Sequence, residues 1–392
     1  MDVIEWDFRD PRAPLRDITG HRLELRASGA GWVSDPLVGG ALHFDGADDF
    51  LVIDAADVGP LHAAVRGDQV SVIALVRRAS LDTGFIAGMW QEDDADPRRQ
   101  YGLFVSLPTY GGAQQAVGHV SADGGPSPGL PYSRDYAASA RMIAPGQWRV
   151  VGFSYDGAAI AAYLDGVADP RPRFQEVGPP SGQAREYRKN PYDFPGGLNR
   201  RTISDFTVGA VLLRGGMGNH FAGDIARVRV VTEAVDARGM LDLAAEWTPA
   251  HSPLVRVDLF RPEGPVAAHE GGGDGEAWPA EALGLVDDGA GAVVTRGRLE
   301  VPASDLPHRI TLVRLPGLAP DRIASIDVDH ERGAASIVVR SDAGWESVTP
   351  LRPGAQRIRI PGTHTAEMHE IALAVGPTTH PVALRHLVIR AR

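Results

Sequence analysis

Apolar and polar residues alternate in short runs along most of this chain, and turn residues separate the runs. Residues 70–77 read Val-Ser-Val-Ile-Ala-Leu-Val-Arg, an imperfect alternation expected of a strand buried on one face and partly on the other. Residues 148–155 are rich in aromatic and β-branched types and run directly into Asp156-Gly157; residues 160–164 follow and end at Asp165-Gly166. Asp-Gly between apolar runs predicts hairpins, because both residues tolerate the positive φ of a type I′ turn. Further strands are expected at 101–107, 254–260, 323–328, 335–340, 356–360 and 384–389. One stretch reads as helix, 236–247, with Met240, Leu241, Leu243 and Ala244 on one side. Many short strands with turn chemistry between them predict an all-β chain built of sandwiches, not an α/β fold.

At 392 residues the chain is too long for one sandwich and comfortable for two. A boundary is expected at Glu246-Trp247-Thr248-Pro249-Ala250-His251-Ser252-Pro253, where two prolines and small polar residues follow the helix. This gives a first domain at 1–248 and a second, smaller β-sandwich at 253–392, expected to be a jelly-roll-like accessory module. Glu270-Gly271-Gly272-Gly273-Asp274-Gly275 reads as a flexible loop within it. No repeat relates the two halves.

Composition narrows the function. With 43% hydrophobic and 23% charged residues the chain can bury ordinary cores, and no apolar run is long enough to cross a bilayer. The formal charge of −11 speaks against nucleic acid, whose phosphates call for clustered Lys and Arg. Lys189 is the only lysine beside plentiful arginine, a skew that a GC-rich genome explains without recognition chemistry. The absence of cysteine excludes disulfides and thiolate metal sites. Met1-Asp2-Val3-Ile4-Glu5 carries no signal-peptide pattern. The expectation is therefore a cytoplasmic protein if Met1 is the native start, and a secreted one if a signal has been removed. Oligomeric state is left open.

A series of phrases is more specific. Trp6-Asp7-Phe8, Asp17-Ile18-Thr19-Gly20, Leu42-His43-Phe44-Asp45-Gly46 and Phe50-Leu51-Val52-Ile53 come first. Gly146-Gln147-Trp148-Arg149-Val150-Val151-Gly152-Phe153, Ala162-Tyr163-Leu164-Asp165-Gly166, Phe206-Thr207-Val208-Gly209 and Phe221-Ala222-Gly223-Asp224-Ile225-Ala226 follow in order. In order and spacing they resemble the laminin-G-like, concanavalin A-like lectin/glucanase family over about residues 1–248. The resemblance implies a twisted β-sandwich whose members mostly bind, and sometimes cut, carbohydrate. It assigns Trp148 and Tyr155 to the core. It also implies a calcium ion, for which Asp45, Asp48 and Asp49 offer hard oxygen donors in a short arc. Against that, the family's closing phrase reads Gly-x-Ile-Asp-x-Val, and here Ala226 stands at the aspartate position; Asp45 alternatively caps its own turn.

The site is expected in long loops of the first domain, at 90–141 and 174–201, with a third piece at 215–220, because binding residues concentrate in such loops. Their composition suits sugar. Rings cover the apolar C–H face of a pyranose, while arginine, carboxylate and amide groups meet its hydroxyls. The ring candidates are Trp90, Tyr101, Tyr132, Tyr136, Tyr187, Tyr192 and Phe194, with Arg134, Asp135, Asn190, Asn219 and His220 beside them in sequence. The alternative is that most of these rings pin their own loops.

Catalysis has thinner support. Gln91-Glu92-Asp93-Asp94-Ala95-Asp96 lacks the second glutamate of the β-glucan hydrolases on this fold and reads as a solvated acidic loop. Lyase chemistry would call on His119 or His220, with Tyr101 or Tyr136 as proton carrier, since imidazole titrates near working pH; Asp135 is the acidic candidate. P-loop and His-Glu-x-x-His patterns do not occur. Three classes stand open: carbohydrate recognition, a glycoside hydrolase or lyase using the same cleft, and a structural or protein-interaction module.

Overall fold

The structure is a computed structural model that describes residues 2–93, 95–130, 132–168, 173–176, 185–249, 253–257, 278–279, 285–295, 298–318, 323–341, 346–359 and 368–391. The glycine-rich loop expected at 270–275 lies outside them. Described residues fall into two units, one lying within 2–164 and 173–236, the other within 165–168 and 237–391. Among the described residues no helix is long and apolar enough to cross a membrane.

The first unit is a sandwich of two antiparallel sheets. Its back sheet runs Tyr192–Asp193, Ala159–Leu164, Arg149–Tyr155, Val70–Arg78, Ala222–Val231, Gly39–Asp45, Gly31–Asp35, with Val3–Asp7 also paired to Ala222–Val231. Its front sheet runs Tyr136–Met142, Gly112–Val120, Tyr101–Leu107, Gly84–Met89, Phe206–Val208, Phe50–Ile53, Arg26–Ser28. The expected hairpin at Asp156-Gly157 joins two neighbours, with Tyr155 opposite Ile160, and at the next turn Asp165 and Gly166 adopt φ of 53° and 76°, the sign a type I′ turn requires.

Period-2 alternation decides what each face of the front sheet does. Tyr101, Leu103 and Val105 point into the inter-sheet core with Val72, Val76 and Phe153, while Phe104 points the other way. Trp6 stacks on Phe206 across that core, ring centroids 5.4 Å apart. Trp148 and Tyr155 are buried. Gly118 lets the sheets close: a Cβ there would lie 2.2 Å from Cβ of Phe153. On the outer face Phe85, Trp90, Phe104, Tyr110, Val117 and Tyr136 form a second apolar cluster.

Two segments of the expected loop region are strands, Gly112–Val120 and Tyr136–Met142. The first is buried along its whole length, so its small residues and glutamines carry no alternation for the eye to find. Gln115 is accommodated there by donating to the Ala140 carbonyl at 3.3 Å.

The second unit is also all-β, with sheets of seven and five strands among the described residues. The expected strands appear as Pro253–Val257, Ile323–Arg332, Ala335–Ser341, Gly354–Arg359 and Val382–Ala391. His308–Leu318 and Met368–Val375 join them. Ile326, Val328, Leu384 and Leu387 are buried on one sheet and Ile310, Ile337, Ile371 and Leu373 on the other. The helix forms at Ala237–Trp247 with Met240, Leu241 and Ala244 buried. It groups with this second unit and not with the first domain, whose expected end was at 248; it lies against His308–Leu318.

Candidate functional site

A cavity of about 260 Å³ opens on the outer face of the front sheet. Its floor is the face that alternation turns away from the core: Phe104, His119 and Tyr136 from three neighbouring strands. Leu107, Pro108, Thr109 and Tyr110 close one side. Leu213 and Asn219 come from the hairpin Val211–Leu213/Gly216–Gly218 and its exit. That hairpin is pinned twice, since Phe85 N–H donates to the Asn219 carbonyl at 2.8 Å and Glu92 N–H donates to the Leu212 carbonyl at 2.8 Å. Asn219 sits at φ 48°, a left-handed conformation that asparagine tolerates better than most residues.

Polar groups converge on this apolar bowl. Glu92, His119, Ser133 and Asn219 line it, with Tyr132 at the rim and 60% exposed. The Glu92 carboxylate is held from behind: Trp90 Nε1–H donates to its Oε1 at 2.9 Å, and Arg99 Nη2 lies 3.5 Å from Oε2. His119 is only 3% exposed, its ring 4.4 Å from that of Trp90 and 5.3 Å from that of Tyr136. Among the described residues its Nδ1 has no hydrogen-bond partner. Burial first, then the charges of Lys189 and Arg99, lower its pKa to about 3, so the ring is neutral at working pH.

Of the residues expected at the site, His119, Tyr132, Tyr136 and Asn219 are brought together here. Others are not, for stated reasons. Tyr101 lies in the inter-sheet core, its hydroxyl donating to the Leu61 carbonyl at 2.8 Å; burial raises its pKa, which removes it as a proton carrier. Trp90 is buried behind His119 and serves as a wall. Tyr136 lines the cavity, but its hydroxyl donates to Leu107 O at 3.1 Å and accepts from Tyr110 N–H at 2.9 Å, so it is a structural group and no proton carrier. The Asp135 carboxylate accepts from Ser127 Oγ and, at 2.9 Å, from the Tyr192 hydroxyl, away from the cavity.

Arg134, Tyr187 and Tyr192 instead gather around Lys189, which is fully buried. Its ammonium lies 3.2 Å from the Tyr136 ring centroid, 4.9 Å from that of Tyr192 and 5.3 Å from that of Tyr187. It donates to the carbonyls of Arg134 at 2.9 Å and Tyr136 at 3.1 Å. Next to it the Asn190 amide bonds both N–H and C=O of Ala162 at 2.9 Å, while the Lys189 carbonyl accepts Ala138 N–H. This segment thus joins the edges of front and back sheets. Phe194 is half-buried against the core.

The acidic trio does assemble. One carboxylate oxygen each of Asp45, Asp48 and Asp49 lies within 4.8 Å of the others. The turn itself uses one oxygen of Asp45, which accepts from Ala47 and Asp48 N–H, and one of Asp49, which accepts from Asp45 N–H. The Ala47 and Asp48 bonds hold the Asp45 carboxyl below its usual range. His220 does not line the cavity. The remaining oxygens are hard donors of the kind calcium takes.

No protein-family model matches this chain, and no curated protein does. Among solved structures it is similar to domain 4 of an extracellular GH43 arabinanase from Geobacillus stearothermophilus, solved with arabinotriose. That likeness has 18% identity and a TM-score of 0.41, over 62% of this chain and 97% of that one. A Trypanosoma rangeli sialidase in complex with 2,3-difluorosialic acid is similar at 14% identity and a TM-score of 0.39, over 62% of this chain and 32% of that one. A structure described as a receptor binding domain covers 97% of this chain at 7% identity and a TM-score of 0.41.

Proposed function

We propose that the first unit is a laminin-G-like, concanavalin A-like sandwich that recognises carbohydrate, and that one sugar unit sits in the cavity on its front sheet. The observation that carries this is the convergence of Glu92, His119 and Asn219 on an apolar bowl with the Tyr132 ring at its mouth. An exposed ring and a few fixed polar groups are what a pyranose presents partners for: a C–H face and a fringe of hydroxyls. The volume lies below the roughly 300–1,000 Å³ usual for drug-sized ligands, which fits a single ring.

Binding is favoured over cleavage by the same geometry. Glycoside hydrolysis commonly needs two carboxylates flanking one bond, and among the described lining residues Glu92 alone carries one. A lyase needs a proton carrier, and His119, with its pKa held at about 3, is too weak a base while the Tyr136 hydroxyl is committed to backbone. We also propose calcium at Asp45, Asp48 and Asp49; added calcium is expected to raise the melting temperature by a few degrees, and Asp48→Asn to abolish the rise.

Tyr132→Ala tests the reading. Because the ring is largely exposed, the melting temperature should move by no more than about 1 °C. Saccharide affinity measured by calorimetry should fall about tenfold, ~1.4 kcal/mol. Unchanged affinity would remove Tyr132 from the site.

A further inference from the structure

Resting on that reading, we infer that the cavity selects neutral sugars and rejects uronic and sialic acids, with Glu92 as the group that discriminates. Glu92 is the charged side chain among the described lining residues. Its two oxygens are fixed by Trp90 and Arg99, and each keeps a lone pair with which to accept a sugar hydroxyl. A hydroxyl donating to a carboxylate makes a strong, charge-assisted bond. A ligand carboxylate in the same place would instead meet a like charge in a partly desolvated site.

The cations close by do not reverse this. Arg99 lies behind the wall, 5.8 Å from the Trp90 ring centroid, and donates to the Gly124 carbonyl at 3.2 Å. The Lys189 ammonium is directed to the carbonyls of Arg134 and Tyr136. Neither lines the cavity. Their field does reach His119 on the cavity floor, where it disfavours the imidazolium, but Glu92, which pairs with Arg99, is the charge a ligand meets directly. The imidazole is buried and uncharged, so it offers an acid no positive charge.

The experiment pairs each neutral sugar with its acid: galactose with galacturonate, glucose with glucuronate, and both with sialic acid, titrated calorimetrically into the full chain and into Glu92→Gln. Gln keeps an acceptor for the Trp90 indole and loses the charge. The expected result is that at least one neutral sugar binds, its acid binds at least tenfold more weakly, and Glu92→Gln narrows the gap to threefold or less. Equal or tighter binding of the acids to the unaltered chain would overturn the charge selection and leave a glycan site. Binding of none of these sugars, neutral or acidic, would overturn the glycan reading and this inference with it. A gap that persists in Glu92→Gln would take the discrimination away from Glu92.

Discussion

Lys189→Ala is expected to lower the melting temperature of the first unit by roughly 6–12 °C, the largest effect of any single side-chain truncation in this site. The lysine is fully buried with its ammonium against the Tyr136 ring and bonded to two backbone carbonyls. Truncation strands buried acceptors, opens a cavity and removes a desolvated cation–π contact, together about 3 kcal/mol after the lysine's own burial cost is relieved. For a unit of this size each kcal/mol is worth about 2–4 °C. Lys189→Arg should not rescue, since a planar fork cannot replace a compact ammonium seated among three rings. Saccharide affinity should fall as well, because Tyr136 lines the cavity. Thermal unfolding by circular dichroism or calorimetry reads the first effect. A loss under about 2 °C would mean that the cage does not hold the sheet edges together.

The second large effect is on acid stability. His119 has a folded pKa of about 3 against an unfolded value near 6.5. Between these limits the unfolded chain binds a proton that the folded chain refuses, so stability is complete above about pH 6.5 and falls as pH drops toward 3. Within that window the loss is about 1.4 kcal/mol per pH unit. His119→Gln removes the titration and should flatten the decline between pH 6.5 and 4.5, above the range where the depressed carboxylates of Asp7, Asp17 and Asp35 contribute. His62, also lowered mainly by burial, acts in both proteins and cancels from the comparison. Parallel stability curves for the two proteins would contradict the buried, neutral imidazole.

Much of the fold was legible because local chemistry agrees with it. Asp156-Gly157 and Asp165-Gly166 mark turns in the structure, and the helix spans Ala237–Trp247 within a residue of its sequence bounds. Strand Gly112–Val120 was not legible: it is buried on both faces and opens on Gly, Ala and Gln, so no alternation announces it and its β-branched residues are confined to Val117 and Val120. The rings mark the limit of reading a site from residue types. Tyr101 and Tyr132 look alike in sequence, yet one lies on a strand facing the inter-sheet core and the other in an exposed loop. Glu92 carried a usable signal in the indole two residues before it, and Trp90 and Glu92 do bond. Its acidic neighbours made it read as solvated loop. Lys189 reads as codon bias by composition alone; Tyr187 and Tyr192 on either side of it are the local signal of a cation among rings.

The central claim is that a saccharide occupies the cavity on the outer face of the front sheet, and a crystal structure of the full chain soaked with a neutral saccharide tests it most directly. The account predicts a sugar ring over Tyr132 with a hydroxyl on the Glu92 carboxylate. A sugar bound elsewhere, for instance at the Asp45–Asp49 turn, with the cavity holding only water, would contradict it.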